Sequence, residues 1–253
     1  DLMEKLARYK YTSPIVPKEY GGAGADYTSY VIIMEEISKK CASTGTFTTA
    51  AASLVSSPLL NFGTEEQKQK YLTRITSGEA IGAFGLTEPG AGSDAGGQTT
   101  TAVLDGDSYI LNGRKTFITN APIADFAIVI AVTERGKGVK GTSAFIVDMN
   151  LEGVSCGAHE DKMGIRATET SDLIFENVRV PKENILGKEG QGFKIAMHTL
   201  DTGRIGVAAQ ALGVAQGAMD EAVKYSKERV QFGKSLSKFQ DIQFKLANME
   251  TKI

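Results

Sequence analysis

Gly85-Leu-Thr-Glu-Pro-Gly-Ala-Gly-Ser-Asp94 is the stretch on which the fold turns. An apolar run from Ala80 to Leu86 leads into Thr87, then Glu88-Pro89, then a glycine loop closed by Ser93 and Asp94. Pro89 disfavours helical backbone at Glu88, so the run stays extended up to the loop. Gly90 and Gly92 let bare backbone N–H groups face a ligand at close range. Thr87 and Ser93 add hydroxyls at either end, and the loop reads as shaped around a large polar ligand. Gly90-Ala-Gly92-Ser-Asp-Ala95 also satisfies the G-x-G-x-x-G/A spacing of dinucleotide folds. That fold requires a helix to begin on the glycines. Here Gly96-Gly97 and a run of threonines lead into an alternating strand pattern instead, and the dinucleotide reading fails.

Working outward, strand patterning extends from Ala80 to about Leu186. Thr99 to Leu104 and Ser108 to Leu111 flank Asp105-Gly106-Asp107, a hairpin signal, and Asn112-Gly113 predicts a second turn. Phe126 to Val132, Ser143 to Val147 and Leu173 to Phe175 are short apolar runs. No helical pattern alternates with them, which favours a small antiparallel sandwich or barrel over a parallel βαβ sheet. Residues 1–79 read as helical. The Gly21 to Gly24 loop is a turn, and Asp26 caps a helix over about 27–40 whose apolar face includes Val31, Ile32, Met34 and Ile37. Thr64-Glu-Glu-Gln67 is a capping box for a helix to about Thr76. From Gly190 to Ile253 the pattern is helical again, with small residues every three or four positions over 205–223 that permit close helix–helix approach. Phe232 to Leu236 predicts a turn before the last helix. The expected architecture is α+β: an N-terminal helical domain (1–79), a middle antiparallel β domain (80–187) and the start of a C-terminal helical bundle (188–253). Both ends of the chain read as falling inside helices, which predicts a piece of a longer protein.

The 253 residues suffice for two or three small domains with a real core. Hydrophobic content of 42% and charged content of 23% are ordinary for a globular chain. A formal charge of −2 gives no electrostatic case for nucleic acid or an anionic membrane. No apolar run is long enough to span a bilayer. Cys41 and Cys156 offer neither a disulfide framework nor metal spacing, which fits a reducing compartment. His159 and His198 read as ordinary polar or packed histidines.

Three motifs in order carry a family resemblance: Phe84-Gly-Leu-Thr-Glu-Pro-Gly-Ala-Gly-Ser93 with Asp94, Gly113-Arg-Lys-Thr-Phe-Ile-Thr-Asn120, and Arg229-Val-Gln-Phe-Gly233 followed by Gln240. The chain resembles the acyl-CoA dehydrogenases, most of all their short-chain, butyryl-CoA branch. The resemblance implies FAD as cofactor and α,β-dehydrogenation of a short-chain acyl-CoA to the trans-2-enoyl-CoA. Electrons would pass to an electron-transfer flavoprotein, in a homotetramer or dimer of dimers. It implies that Leu86 and Thr87 meet the pyrimidine edge of the flavin, that Thr119 reaches the N5 region, that Phe117 lies against the ring, and that Phe84 and Ile118 belong to the cofactor site. Many relatives carry Trp at the place of Phe117. Gly92 and Ser93 belong to the cofactor loop, with Ser93 also touching the CoA arm. Asp201 and Arg204 match residues that contact CoA. Arg229 and Gln240 match residues that reach the FAD pyrophosphate and adenosine of a neighbouring subunit, and Phe232 between them is counted with the cofactor-binding residues. The compartment implied is the bacterial cytoplasm, or the mitochondrial matrix of a eukaryote.

The family base is a glutamate, carried either in the C-terminal domain or at the position matching Gly203. Glycine has no side chain to take a proton, so the base is expected beyond Ile253, and no residue of this chain is assigned to it. Glu88 precedes Pro89 in a structural loop and reads as no base. Two other readings stand beside this one: a flavin oxidase of the same fold, and a non-catalytic acyl-CoA-binding homologue.

Overall fold

The computed structural model describes residues 2–253. Helix α1 (Leu2–Arg8) opens it, and α2 (Tyr27–Lys40) starts where the Asp26 carboxylate accepts from the Ser29 N–H at 2.7 Å. Helix α3 (Ala42–Thr49) runs into a π-helical segment, Ala50–Ser56, and on into α4 (Ser57–Phe62). The capping box at Thr64 and Gln67 forms as expected and starts α5 (Glu65–Ser77).

Strands follow: β1 (Gly82–Gly85), β2 (Thr101–Asp105), β3 (Ser108–Thr119), β4 (Phe126–Val132), β5 (Thr142–Asp148), β6 (Val154–Cys156), β7 (Thr170–Pro181) and β8 (Ile185–Leu186). They form one sheet in the order β6-β7-β3-β2-β4-β5-β8, with β1 also on β4. Pairing is antiparallel except that β1 and β2 both lie parallel to β4, β1 along Phe126 to Val129 and β2 only at Val132. Residues 86–100 leave the sheet between these two contacts. The continuous apolar run of β4 has a physical reason: both of its faces are covered. Phe126, Ile128 and Ile130 face a core with Leu59, Leu72, Ile75 and Ile195 of the helices, while Ala127, Val129 and Ala131 face Leu111, Leu173 and Val180 of the sheet.

The Asn112-Gly113 turn does not form. Strand β3 runs through it with a bulge between Leu111 and Gly113. Gly113 is needed because its φ is 147° and a Cβ there would lie 2.5 Å from the Thr100 hydroxyl. Helix α6 (Gly192–Glu228) spans 37 residues, about 55 Å at 1.5 Å per residue. The small residues along it work as expected: Gly206 abuts the Tyr30 hydroxyl, and Gly213 and Gly217 abut the backbone carbonyls of Glu35 and Lys39. The face of α2 that meets α6 is Tyr30, Met34 and Ser38, not the all-apolar one expected, and Ile32 is exposed. Glycines leave the room these side chains fill: a Cβ at Gly206 would meet the Tyr30 hydroxyl, and one at Gly45 the Ser38 hydroxyl. Strands β9 (Val230–Gln231) and β10 (Lys234–Ser235) form a hairpin whose two turn residues, Phe232 and Gly233, have φ of 51° and 75°, as a type I′ turn requires. Helix α7 (Gln240–Lys252) ends the chain. Among the described residues no helix is long and apolar enough to cross a membrane.

Candidate active site

The chain leaves β1 at Gly85, and Leu86, Thr87 and Glu88 turn into the glycine loop. Glu88 and Ala91 exchange backbone hydrogen bonds of 3.1 and 3.0 Å, which closes the turn. The Glu88 carboxylate points inward. It accepts from the Thr99 N–H and hydroxyl, both at 2.7 Å, and from the Thr100 N–H at 3.0 Å. It also pairs with the Lys115 ammonium at 2.7 Å, and both side chains are buried. Burial alone would raise its pKa, but Lys115 and the Thr99 and Thr100 donors outweigh burial and hold it at about 2. Such a carboxylate is a poor proton acceptor. Burial pulls Lys115 down to about 8 against the opposing pull of Glu88.

Strand β3 carries a second irregularity beside this loop. Its register against β7 shifts between Lys115 and Ile118. Thr116, freed from the ladder, donates its N–H to the Thr87 carbonyl at 2.8 Å. Phe117 takes φ of 57°, in the left-handed region, and its ring is 64% exposed. A non-glycine residue held there costs about 1–3 kcal/mol, and such strain concentrates at functional sites. Asp172 on β7 holds the bulge: Arg114 binds its carboxylate, and the Thr116 hydroxyl and Phe117 N–H also point to it. Burial raises the Asp172 pKa, but these donors prevail and lower it.

The loop and the bulge together make one wall of a cavity of about 170 Å³. That wall is Phe84, Leu86, Thr87, Phe117, Ile118 and Thr119, six of the residues singled out in the sequence. Ala50, Leu54 and Val55 of the π-helical segment and Leu200 of α6 form the opposite side. The two threonine hydroxyls have no partner among the described residues. The cavity thus offers an aromatic face, an aliphatic lid and free donors from two strand ends.

The other singled-out residues lie elsewhere. Gly92 and Ser93 are exposed on the glycine loop. Asp201 and Arg204 form an exposed ion pair of 2.6 Å on α6, beside Leu200. Gly203 faces the π-helical segment, where a Cβ would sit 3.3 Å from Leu54. Arg229, Phe232 and Gln240 are exposed around the β9–β10 hairpin, with Phe232 at 93%. Arg229 lies 29 residues along the chain from Leu200, about 40 Å down the helix. Within one chain the two groups lie far apart. Cys41 and Cys156 are unpaired and exposed, and no cluster among the described residues could hold a metal ion.

Sequence reasoning missed the π-helical segment, Leu200, Lys115 and Asp172. A π-helical stretch has no composition signal of its own. Lys115 did carry one: a lysine at a buried, inward position of a strand demands a partner.

Family models match most of the chain in three parts: "Acyl-CoA dehydrogenase, N-terminal domain" over residues 1–79, the middle domain over 83–178 and the C-terminal domain over 190–253. The chain is 58% identical to the 3-(aryl)acrylate reductase of Clostridium sporogenes, with 100% of this chain and 67% of that protein aligned. It is 54% identical to the short-chain specific acyl-CoA dehydrogenase of Clostridium acetobutylicum, covering 99% of this chain and 66% of that one. The butyryl-CoA dehydrogenase structure from Megasphaera elsdenii superposes with a TM-score of 0.95 at 50% identity, over 99% of this chain and 67% of that chain. The chain spans about two thirds of the length of these relatives.

Proposed function

The chain belongs to the acyl-CoA dehydrogenase family, and from that membership we propose that it binds FAD in the cavity between Thr87 and Thr119 and acts on a short-chain acyl-CoA. The reaction is removal of the α proton and β hydride of the thioester to give the trans-2-enoyl-CoA, with electrons passed on to an electron-transfer flavoprotein. The bacterial sources of the relatives above support a cytoplasmic setting. Three functional units are read along the chain: 1–79, 80–187 and 188–253.

The observation that carries this reading is the pairing of the exposed Phe117 ring with two unpartnered threonine hydroxyls around one cavity. A flavin ring needs an apolar face and hydrogen-bond donors at the edge where negative charge gathers on reduction. The residues present meet both needs. FAD supplies the hydride acceptor when bound. Phe117 and Phe84 provide the face, Thr87 and Thr119 donate at the edge, and Leu54, Val55 and Leu200 exclude water from the opposite side. Ser93, Asp201 and Arg204, all exposed, are assigned to the CoA arm. Arg229, Phe232 and Gln240 lie beyond the far end of α6, out of reach of the same flavin, and are assigned to the FAD of a second subunit of a homotetramer.

No carboxylate lines the cavity among the described residues. Glu88 is committed to Lys115, and the Gly203 position offers none. The base is therefore assigned to a glutamate outside these residues.

The test is direct. The protein titrated with FAD should show bound-flavin absorbance and quenched flavin fluorescence. These 253 residues by themselves, with no carboxylate lining the cavity among the described residues, should not bleach with butyryl-CoA. Absence of FAD binding would contradict the reading and favour a non-catalytic acyl-CoA-binding role. Peroxide release from the full-length enzyme in place of flavoprotein reduction would favour an oxidase. The 58% identity to a protein named as a reductase supports a second reading, in which the same site runs toward saturation of an α,β-unsaturated acyl group. Comparing rates with butyryl-CoA and crotonyl-CoA separates the two directions.

A further inference from the structure

Behind the cavity wall lies a buried charge for which the proposed chemistry gives no role. The Lys115 side chain is fully buried, and its stem passes Gly85, where a Cβ would come within 3.2 Å of Lys115 Cγ. Its ammonium donates three hydrogen bonds: to Glu88 at 2.7 Å, to the Gln98 side-chain carbonyl at 2.8 Å and to the Leu86 backbone carbonyl at 3.1 Å. All three ammonium donors are used.

The third bond orients a peptide. Leu86 and Thr87 share a planar trans peptide, in which C=O and N–H point in opposite directions. With the Leu86 carbonyl turned inward to Lys115, the Thr87 N–H is turned the other way. Both residues line the cavity, and no acceptor for the Thr87 N–H occurs among the described residues. The next carbonyl, that of Thr87, is held by the Thr116 N–H. Two consecutive loop carbonyls are thus tied to two consecutive residues of β3, and the N–H between them is left free.

Burying an ammonium and a carboxylate carries a desolvation penalty that their attraction must first offset, and well-packed apolar residues often serve stability as well. Stability alone gives weak reason for this pair. A cavity-facing N–H can instead be fixed by turning the carbonyl of the same peptide toward a buried cation.

Resting on the flavin reading above, we propose that Lys115 is a positioning residue for the bound flavin. Its ammonium sets the Leu86–Thr87 peptide so that the Thr87 N–H is presented to the electron-rich edge of the ring, and its charge favours the reduced form there. Glu88 and Gln98 hold the ammonium in place.

The test uses the FAD-loaded protein and the double variant Glu88→Gln/Lys115→Met, which removes both charges and leaves no buried ion unpaired. Thermal melting establishes that the variant folds. FAD affinity and the midpoint potential of the bound flavin are then measured. The expected result is a folded protein with about tenfold weaker FAD binding and a potential moved to more negative values. A folded variant with FAD affinity within twofold and an unchanged potential would overturn the proposal. If the double variant does not fold, amide hydrogen exchange at Thr87 in the parent decides the matter. Rapid exchange without FAD and protection with it supports the assignment, and an amide unprotected in both states refutes it. A parent that binds no FAD instead refutes the flavin reading on which the proposal rests.

Discussion

The Thr116 N–H donates to the Thr87 carbonyl at 2.8 Å, and this one bond joins the two motifs that make the cavity. It exists because the register of β3 against β7 slips between Lys115 and Ile118, which releases Thr116 from its own sheet partner. An irregular strand here does what a regular one cannot: it faces the loop after β1 and the β7 neighbour at once.

Asp172 is the anchor of that irregularity, so Asp172→Ala should loosen the bulge. The variant removes the carboxylate that Arg114 binds and that faces the Thr116 hydroxyl and the Phe117 N–H. A stability loss of about 1–3 kcal/mol is expected from chemical denaturation. FAD affinity should fall with it. Full FAD affinity in a folded Asp172→Ala protein would show that the bulge does not shape the site.

Phe117 gives an outcome of opposite sign. Its φ of 57° suits glycine, and its ring is mostly in solvent. Phe117→Gly should therefore melt no lower than the parent, since relief of about 1 kcal/mol or more of backbone strain offsets the lost contacts. FAD binding should weaken about tenfold through loss of the ring face. Equal loss of stability and binding would mean that Phe117 is simply core.

Acid should act through Glu88. Its folded pKa of about 2 lies below the ordinary carboxylate value of 4.5. A depressed carboxylate contributes stability that is complete above the unfolded value and is lost as pH falls through the folded one. That contribution is about 3 kcal/mol, at about 1.4 kcal/mol for each tenfold change in proton affinity. It should disappear between about pH 4.5 and 2. Denaturant titrations of the parent at about pH 7, 4 and 2 span this window and measure it. Glu88→Gln should flatten the slope there, and an unchanged slope would count against the paired state of the carboxylate.

The packing of α2 on α6 is testable at one glycine. A Cβ at Gly213 would lie 2.2 Å from the Glu35 carbonyl oxygen, and backbone cannot move aside cheaply. Gly213→Ala should cost about 1–3 kcal/mol despite alanine's better helix propensity. A variant as stable as the parent would show that the two helices are not in close contact.

Legibility of this chain varied with the range of the forces involved. Local devices were readable: the Asp26 cap, the Thr64–Gln67 capping box and the Asp105–Asp107 hairpin all lie where residue chemistry put them. The glycine spacing of α6 was readable as close approach, though the polar face it meets on α2 was not. Asn112-Gly113 misled because a dipeptide that suits a turn also suits a bulge, and the choice rests on Thr100, twelve residues before Asn112. At the site, the threonines and aromatics of the two motifs could be named in advance. The means of their assembly could not, because Glu88–Lys115 and Arg114–Asp172 span 27 and 58 residues and leave no periodic trace. The π-helical segment opposite was equally silent.

The claim that a flavin ring sits against Phe117 between Thr87 and Thr119 is tested most directly by a crystal structure of the protein grown with saturating FAD. The account predicts density for the ring in that cavity, stacked on Phe117, with both threonine hydroxyls bonded to its edge. A cavity filled by its own side chains, or a flavin bound elsewhere, would contradict it.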